Sequence, residues 1–530
     1  MTVGQSARIL VVGAGPVGLT VAHELARRGI DVRLIDAADG PRTTSRALAN
    51  HARTLEIYDQ MGVLDDLLAA GRTVEHFTLH QGGRRLIRFD TDYSRLPTRF
   101  PFTLMVDQAI TEQTLRRAVE ALSVPVEWGT RLEDLTGEPD GVAVELTRAD
   151  GTKERVRYDW LVGCDGGRSA VRKRLQVPLI GDSTERWLIA DAVVDTSLPG
   201  DSIHWIRVGN GTVMLVPFPE SGKWRLLDTA DTELGGPAEI AAHFARKISA
   251  GIGEPVKVRS PTWTSVFTIQ QRMIPTMRSG RCFLAGDAGH VHSPASGQGM
   301  NTGIQDGYNL AWKLAAVATG RAGETLLDSY DAERVPIGRK LLKSTRTATW
   351  LVALSNAAAS AVMPVGLAVL RNLRPVKRRI ERKIMRGMSA LDLRYDPSAG
   401  GPAPRPGTRV SRVDASGAAT PGWAALLAEL RDPRWTLLVF TREWAAVPGR
   451  LFANDEDVLS VRVAGPGTGL PPGAGLPDPD GRLAADLGVT GEGWLLIRPD
   501  GYLADRGAGL DRMADAVRSA VGVRRPAPAF

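Results

Sequence analysis

Residues 8–36 read RILVVGAGPVGLTVAHELARRGIDVRLID, and this stretch decides the fold. The run 8–13 is nearly all apolar, which is typical of a strand buried on both faces in a parallel sheet. A glycine-rich turn follows at once, residues 19–29 have the apolar spacing of a helix, and residues 31–36 form a second strand that ends in an acid. This order of elements is the fingerprint of a βαβ unit that binds a dinucleotide.

Each residue of the turn has a physical role in this fingerprint. Gly13 permits the tight turn, Gly15 lets a pyrophosphate approach the backbone, and Gly18 lets the helix pack closely on the strand. Pro16 belongs to the same predicted cofactor site, where the helix N-terminus directs amide hydrogens at the phosphates. Asp36 is expected to accept hydrogen bonds from ribose hydroxyls and disfavours a 2′-phosphate, so the motif leaves NAD and FAD open.

Two later segments repeat the pattern of a short apolar strand that breaks into a turn of glycine and aspartate. The first, 160–169, contains Asp165, and the second, 282–290, contains Gly286 and Asp287. An aspartate at the end of such a strand can accept a hydrogen bond from a ribityl or ribose hydroxyl. Either turn by itself is also compatible with an ordinary loop.

A glycine-rich approach to a helix comes next, with residues 294–302 followed by helical spacing over 303–317. The N-terminus of such a helix is an anion site. Reduced flavin carries its negative charge near N1 and C2=O, which this site would stabilise. The segment therefore predicts an anion site at the N-terminus of this helix.

Together with Ser45-Arg46-Ala47 and the run 53–56, these segments resemble the class A FAD-dependent aromatic hydroxylases, which share the fold of para-hydroxybenzoate hydroxylase. The likeness is greatest to the actinobacterial branch that acts on aromatic polyketides, and it covers about residues 8–395. The resemblance implies an α/β fold, α+β when the whole chain is considered. A Rossmann-like FAD-binding domain would be interleaved with a mostly antiparallel β-sheet substrate domain.

The resemblance also implies an activity. FAD would be the bound cofactor, NADPH or NADH the transient reductant, and a flavin C4a-hydroperoxide formed with O₂ would hydroxylate a phenolic, polyketide-type substrate in secondary metabolism such as antibiotic biosynthesis. Baeyer–Villiger insertion and epoxidation by the same fold stay open. A flavin-binding protein without turnover, docked to a membrane or partner, is the alternative from another class. The sequence identifies no catalytic residue.

Further cofactor residues follow from the resemblance. Arg46 is expected near the pyrophosphate and flavin, Gln108 near the ribityl–phosphate region, and the backbone of Leu132 against the adenine. Asp165 is expected to support FAD and to dock the nicotinamide cofactor, and Asp287 to bind the ribityl or pyrophosphate part. The residues expected around the isoalloxazine are Pro294, Gly299, Met300 and Asn301.

The middle of the chain has a different pattern. Residues 180–275 contain several strand-like runs, and residues 76–89 form a hairpin that is expected to join the same sheet. In the family that the chain resembles, this sheet covers the flavin and forms the substrate chamber. Alternation along the strands would place each of its large side chains either in that chamber or in the core. The candidate substrate contacts are Trp205, Met214, Phe218, Trp224 and Trp263.

The predicted domains are not consecutive along the chain. A Gly/Pro-rich linker at 400–409 precedes a C-terminal unit that resembles a thioredoxin-like domain. No cysteine lies beyond Cys282, so thiol redox chemistry in that unit is excluded and its expected role is structural. The boundaries are 1–74, 90–179 and 276–398 for the FAD-binding domain, 75–89 and 180–275 for the substrate domain, and 399–530 for the C-terminal domain.

Composition narrows the classes of partner. The 530 residues carry a net charge of +7, but the arginines are dispersed, which favours a solvated surface over a nucleic-acid site. Two cysteines exclude a disulfide framework. His290 and His292 have no supporting cysteine or carboxylate cluster, so no metal is predicted. The expected partners are an aromatic substrate, O₂ and NAD(P)H.

One segment raises the question of a membrane. Residues 347–370 carry no charge, and a basic cluster follows over 371–386. The stretch is rich in alanine and includes polar residues, which favours a helix packed on the protein or at a subunit interface over a membrane span. The sequence therefore predicts a cytoplasmic enzyme, monomeric or homodimeric, without a membrane anchor.

Overall fold

A computed structural model gives the fold of the chain. It describes residues 8–44, 47–90, 96–209, 211–232, 235–293, 297–352, 367, 372–396, 403–441, 456–465, 475–510 and 512–521. Most of the uncharged segment 347–370 therefore lies outside the described residues. None of the helices in the described ranges is long and apolar enough to span a membrane.

Strands occur along the whole described chain, and most of them precede residue 292. The first strands are β1 (Ile9–Val12), β2 (Val32–Ile35), β3 (Ala49–Asn50), β4 (Arg72–Val74), β5 (His76–Gln81), β6 (Arg84–Asp90), β7 (Thr103–Met105), β8 (Val126–Glu127), β9 (Arg131–Glu138), β10 (Gly141–Thr147), β11 (Lys153–Tyr158) and β12 (Trp160–Gly163). The later strands are β13 (Ile180–Asp195), β14 (Ser202–Val208), β15 (Gly211–Pro217), β16 (Lys223–Asp228), β17 (Lys257–Val258), β18 (Trp263–Met273), β19 (Arg278–Ser279), β20 (Cys282–Leu284), β21 (His290–Val291), β22 (Trp435–Phe440), β23 (Leu459–Gly465), β24 (Gly475–Pro477), β25 (Gly493–Ile497) and β26 (Leu503–Ala508).

The α-helices connect and cover these strands. They are α1 (Pro16–Ala26), α2 (Ala52–Gln60), α3 (Leu64–Ala70), α4 (Gln108–Ala121), α5 (Ala170–Arg174), α6 (Pro237–Ile252), α7 (Gly299–Ala318), α8 (Asp328–Val352), α9 (Arg374–Ser389), α10 (Ala415–Ala418), α11 (Pro421–Glu429), α12 (Arg482–Asp486) and α13 (Met513–Val521).

A six-stranded sheet is the centre of the first domain, with strand order β19-β20-β12-β1-β2-β8. Strands β20, β12, β1, β2 and β8 are parallel, and only β19 is antiparallel to its neighbour. Every residue of β1 and of β12 is buried, as their continuous apolar runs predict. The predicted α/β fold is confirmed, and the carboxyl ends of β1, β2 and β12 meet at one edge.

The second sheet has nine strands, most of them antiparallel, in the order β21-β18-β13-β16-β15-β14-β5-β6, with β17 beside β13. The hairpin β5–β6 joins it through a parallel pairing between β5 and β14, as the sequence predicted. Side chains alternate between the faces of this sheet. One face packs on α6 through Trp224, Phe244 and other apolar residues, and the other carries Met214, Val216 and Ile189.

The C-terminal strands form a separate five-stranded sheet, in the order β24-β23-β22-β25-β26. Strands β22, β23 and β24 are parallel, whereas β25 and β26 are antiparallel to their neighbours. Whether this unit is thioredoxin-like stays a prediction, as do the domain boundaries. The mixed sheet encloses its own apolar core around Trp423.

A buried polar network fastens the C-terminal sheet to the first domain. The Asp500 carboxylate accepts hydrogen bonds from Trp312 Nε1 at 3.2 Å and Asn309 Nδ2 at 3.3 Å, both on α7. Arg498 donates to both oxygens of Glu333 on α8, at 2.7 and 3.0 Å. Because these groups are buried and mutually satisfied, the contact fixes the C-terminal unit on α7 and α8.

Two buried histidines join β5 to β14. His204 Nε2–H donates to the carbonyl of Pro199 at 2.9 Å, so His204 Nδ1 is the acceptor for His80 Nε2–H at 3.1 Å. Burial lowers the pKa of each imidazole to about 4. The folded protein therefore keeps both rings neutral in mildly acidic solution.

This pair predicts a loss of stability in acid. An unfolded chain protonates these histidines below about pH 6.5, whereas the folded protein does so near pH 4. The free energy of unfolding should therefore fall as pH falls from about 6.5 to about 4. Denaturant titrations across this range should show a shallower pH slope for His80→Gln/His204→Gln than for the wild type, whatever the variant's stability at neutral pH. Equal slopes would contradict the assignment.

Candidate active site

A cavity of about 640 Å³ lies between the carboxyl ends of the parallel strands and the apolar face of the nine-stranded sheet. This volume is within the range of cofactor and substrate pockets. Most of the sequence-predicted cofactor residues line it. They are Gly13, Gly15, Pro16, Asp36, Gln108, Leu132, Asp165, Asp287, Gly299 and Met300.

The glycine turn divides into residues needed for packing and one that faces open space. A Cβ on Gly18 would lie 1.8 Å from the Gly13 carbonyl oxygen, so only glycine lets α1 pack on the turn. Gly13 itself has φ +103°, and a Cβ there would lie 2.5 Å from the Cys164 carbonyl oxygen. Around Gly15, by contrast, no atom of the described residues lies within 4 Å of a built Cβ. Gly15 therefore borders a space that a phosphate group fits.

Asp36 and Gln108 are fixed by hydrogen bonds at the edge of the same cavity. Asp36 accepts from the Ala14 amide at 2.7 Å and from the Ala38 amide at 2.8 Å, which closes the loop after β2 onto the glycine turn. Gln108 accepts from the Ala47 amide at 2.9 Å. The sequence-predicted residues are thus preorganised by the backbone before any ligand is considered.

Asp165 presents a polar atom that the described residues leave unsatisfied. Its Oδ2 accepts from the amides of Ala170 at 2.6 Å and Val171 at 3.1 Å and so caps α5, while its Oδ1 is buried and has no hydrogen-bond partner. Burial raises the pKa of this carboxyl. A buried oxygen of this kind beside a cavity can accept a hydrogen bond from a ligand.

A second orphaned atom belongs to His292, a residue that the sequence did not assign to the cofactor site. His292 Nδ1–H donates to the Ser293 carbonyl at 3.1 Å, so neutral Nε2 carries a lone pair. This Nε2 is buried and lacks a partner among the described residues, and the ring lines the cavity with Asp287 and Gly299. Burial lowers the pKa of the imidazole, which favours the neutral acceptor form.

Behind His292 lies a buried charge network that the motif did not reveal. Asp306 on α7 accepts from His290 Nε2 at 2.6 Å and from Arg334 Nε at 2.7 Å. Neighbouring Arg334 and His290 lower the pKa of Asp306 in spite of its burial, and Asp306 in turn raises the pKa of His290. The network ties the loop 286–293 to α7 and α8.

Three predicted cofactor residues lie away from the cavity wall, and two cannot be placed. Asn301 accepts from the His51 amide at 2.8 Å and donates to the carbonyls of Ala49 and Gly297, both at 2.8 Å, so it clamps two loops together. Gly286 and Gly18 act through close packing, since a Cβ on Gly286 would meet Val17 at 2.8 Å. Arg46 and Pro294 lie outside the described residues.

The sheet wall contains two of the five predicted substrate contacts. Trp205 and Met214, paired across β14 and β15, line the cavity. Trp224 points to the opposite face because it alternates with Arg225, which lines the cavity. Phe218 and Trp263 are not part of the wall and instead lie beside the Arg225 guanidinium, at 5.4 and 5.5 Å from its centre.

Arg225 is a cavity residue that sequence reasoning missed. It forms a buried bidentate ion pair with Asp191, with Nε–Oδ1 and Nη2–Oδ2 distances of 2.8 Å each. The pairing requires the β13–β16 register, in which the two residues are directly opposite. Because they are 34 residues apart in sequence, no local motif announces them.

One cluster among the described residues has metal-ligand geometry: Asp228, Asp231 and His243. Lys247 Nζ already lies 2.7 Å from Asp228 Oδ2 and 2.6 Å from Asp231 Oδ2. The ammonium supplies the positive charge that a metal would bring, so the cluster is an ion-pair network.

Comparison with known proteins agrees with a cofactor site in this cavity. Residues 6–345 match the FAD binding domain family. The chain belongs to this family. The match fits the open space at Gly15 and the orphaned Asp165 oxygen, both of which suit an adenine dinucleotide with ribityl hydroxyls.

Relatives and solved structures in this family extend the match to the whole chain. The 6-methylpretetramide 4-monooxygenase of Streptomyces rimosus is 54% identical over 508 residues, which is 94% of this chain and 90% of that protein. The anhydrotetracycline hydroxylase OxyS from Streptomyces rimosus has a TM-score of 0.75 at 30% identity, covering 98% of this chain and 100% of that one. CabE, an aromatic hydroxylase from angucycline biosynthesis, has a TM-score of 0.74 at 29% identity over 98% and 100%.

These matches confirm the predicted enzyme class and cofactor. The chain is an FAD-dependent monooxygenase of the aromatic hydroxylase type. Binding without turnover, the alternative that the sequence left open, is therefore not supported.

Two glycine variants should separate cofactor binding from folding. Gly15→Ala adds a methyl group where the protein has space, so the apoprotein should melt at the wild-type temperature while FAD affinity falls at least tenfold. Gly18→Ala places its methyl group against the Gly13 carbonyl oxygen and should destabilise the apoprotein by about 1–3 kcal/mol. Calorimetry of the apoproteins and fluorescence titration with FAD measure both quantities. Normal FAD affinity in Gly15→Ala would contradict the assignment of the space at Gly15 to a cofactor phosphate.

Proposed function

We propose that this monooxygenase hydroxylates a phenolic ring of an aromatic polyketide, with NADPH or NADH as the reductant and O₂ as the oxygen source. The observation that carries the proposal is the single cavity in which the cofactor cradle, at Gly15 and Asp36, continues to an apolar wall at Trp205 and Met214. A planar polycyclic substrate fits such a wall better than a small polar one. The relative at 54% identity is named for activity on 6-methylpretetramide.

The residues at one end of the cavity would bind the cofactor, and those at the other end would bind the substrate. Bound FAD supplies the electron transfer and the activation of O₂. Gly15, Asp36 and Asp165 hold its dinucleotide part, while Gly299 and Met300 place the N-terminus of α7 at the cavity wall. The positive end of that helix favours negative charge in this part of the cavity.

The apolar wall excludes water and orients the ring. Met214 pairs with Trp205 on one side and Leu227 on the other, and Leu227 pairs with Ile189, so one row of side chains crosses four strands. These four residues line the cavity. A dry wall of this kind protects a reactive oxygen donor from water and holds the substrate ring in one plane.

Arg225 provides the positive charge in this wall. Its ion pair with Asp191 holds the guanidinium in place. The centre of the guanidinium lies 5.4 Å from the Phe218 ring centroid and 5.5 Å from the Trp263 ring centroid. A phenol that ionises beside a fixed cation becomes more electron-rich and more easily attacked by an electrophilic oxygen. Arg225 would therefore bind a ring oxygen and favour the phenolate, with the phenolic proton passing to solvent or to another acceptor.

Isotope labelling tests the reaction. The FAD-loaded protein should oxidise NADPH or NADH in the presence of a planar polyphenol, and the product should contain one oxygen atom from labelled O₂ and none from labelled water. Tandem mass spectrometry then locates the atom: a new hydroxyl on the ring supports hydroxylation, whereas an oxygen within an expanded ring supports Baeyer–Villiger insertion. Reductant oxidation without any labelled product would contradict the proposal.

A conservative variant tests Arg225. Arg225→Lys keeps a positive charge beside Asp191 but loses the planar bidentate contact. Substrate affinity should fall about tenfold, which is about 1.4 kcal/mol, while FAD content stays normal. Trp224→Phe, one residue away on the opposite face, is the matched control and should retain affinity. Equal substrate dissociation constants for Arg225→Lys and the wild type would show that the Arg225 guanidinium does not bind the substrate.

A further inference from the structure

Helix α9 carries a row of exposed cations that the proposed reaction does not use. Lys377 is paired with Asp90 and Glu381, at 3.5 and 3.3 Å, and Arg386 with Asp392 at 3.6 Å. Four further cations on this helix are exposed and form no ion pair with any carboxylate of the described residues. They are Arg378, Arg379, Arg382 and Lys383.

The spacing of these four residues makes them repel one another. Arg378 and Arg382 are four residues apart, as are Arg379 and Lys383, so each pair shares a side of the helix. Like charges at this spacing destabilise a helix. A bound polyanion would remove this repulsion, so the surface suits a ligand with several phosphate charges.

The end of the same helix reaches the active-site cavity. Met388 lines the cavity, and the Gly387 carbonyl accepts a hydrogen bond at 2.7 Å from Gln298, the residue before α7 begins. At about 1.5 Å of rise per residue, Lys383 lies about 7 Å and Arg379 about 13 Å from Met388 along the axis. An anion on α9 would therefore lie within a dinucleotide's length of the cavity.

The reductant is the ligand whose chemistry matches this surface. The described residues contain one glycine-turn cradle, and FAD occupies that role. A nicotinamide dinucleotide must place its ring in the cavity while its pyrophosphate and 2′-phosphate bind elsewhere. We propose that the exposed face of α9 binds the phosphates of NADPH and directs its nicotinamide past Met388; this inference rests on the proposed function.

Anaerobic reduction of the FAD-loaded enzyme by NADPH in a stopped-flow instrument tests the inference. Arg378→Glu/Arg382→Glu and Arg379→Glu/Lys383→Glu each reverse two charges on an exposed surface. At least one pair should raise the dissociation constant for NADPH tenfold or more, leave the limiting rate of flavin reduction within twofold, and lower the dependence of binding on salt concentration. The effect on NADH should be smaller, because NADH lacks the 2′-phosphate.

A matched control separates local binding from net charge. Lys153→Glu/Arg155→Glu makes the same change in charge on the exposed strand β11, which contributes no residue to the cavity wall. This variant should bind NADPH within twofold of the wild type. An equal loss of affinity in the control and the α9 variants would overturn the inference, because only the overall charge would matter.

Two further measurements decide the remaining outcomes. Titration of the FAD-loaded protein with NADP⁺ measures binding of the oxidised dinucleotide without turnover. Weaker NADP⁺ binding in the α9 variants would support the site even if the wild type oxidises no substrate. Wild-type affinity for NADPH and NADP⁺ in both α9 variants would overturn it. Cosedimentation with vesicles containing phosphatidylglycerol, lost in those variants while NADPH affinity is unchanged, would assign α9 to a membrane surface instead.

Discussion

The burial of α7 on nearly every side is the constraint on which the rest of the structure depends. Gly303 and Gly307 let it approach α1, since Cβ atoms there would lie 2.7 and 2.9 Å from Val17 and Val21. Its polar side chains form hydrogen bonds with neighbouring elements. Asp306 accepts from Arg334, and Trp312 donates to Asp500. The helix therefore has one position, and its N-terminus is held at the cavity.

That position couples the three largest sheets. The six-stranded sheet contacts α7 through α1. The nine-stranded sheet is tied to α7 by the hydrogen bond between His290 in β21 and Asp306, and the C-terminal sheet is tied to it through Asp500. Lys313, also on α7, is buried against Glu333, and burial lowers its pKa to about 8. The C-terminal unit contributes no residue to the described cavity wall, yet it holds in place the helix whose N-terminus lines the cavity. The sequence predicted a structural role for this C-terminal unit, and such a role would act through the contact between Asp500 and α7.

How far the site followed from sequence depends on whether each residue acts through local or distant partners. Gly13, Gly15 and Asp36 were predictable because one βαβ unit fixes their positions. Asn301 was assigned to the cofactor, but its amide is satisfied by backbone groups of other loops. Trp224 was one of five candidates for the wall, and alternation relative to the sheet register placed it on the far face. His292 could not be assigned to the site from sequence, because its orphaned nitrogen is evident only once the fold places the ring beside Asp287 and Gly299.

The sequence by itself determined the dinucleotide fold, because glycine turns and the acids that follow buried strands are local consequences of backbone sterics and hydrogen bonding. The flavin and the class of reaction followed from the resemblance of the combined segments to a family. Only the tertiary structure decided which side chains share the cavity. The Arg225–Asp191 pair needs the strand register, the approach of α9 to the cavity needs the Gln298–Gly387 contact, and the bracing of α7 needs Asp500. Each of these joins groups far apart in the chain, and such contacts are set by packing rather than by spacing.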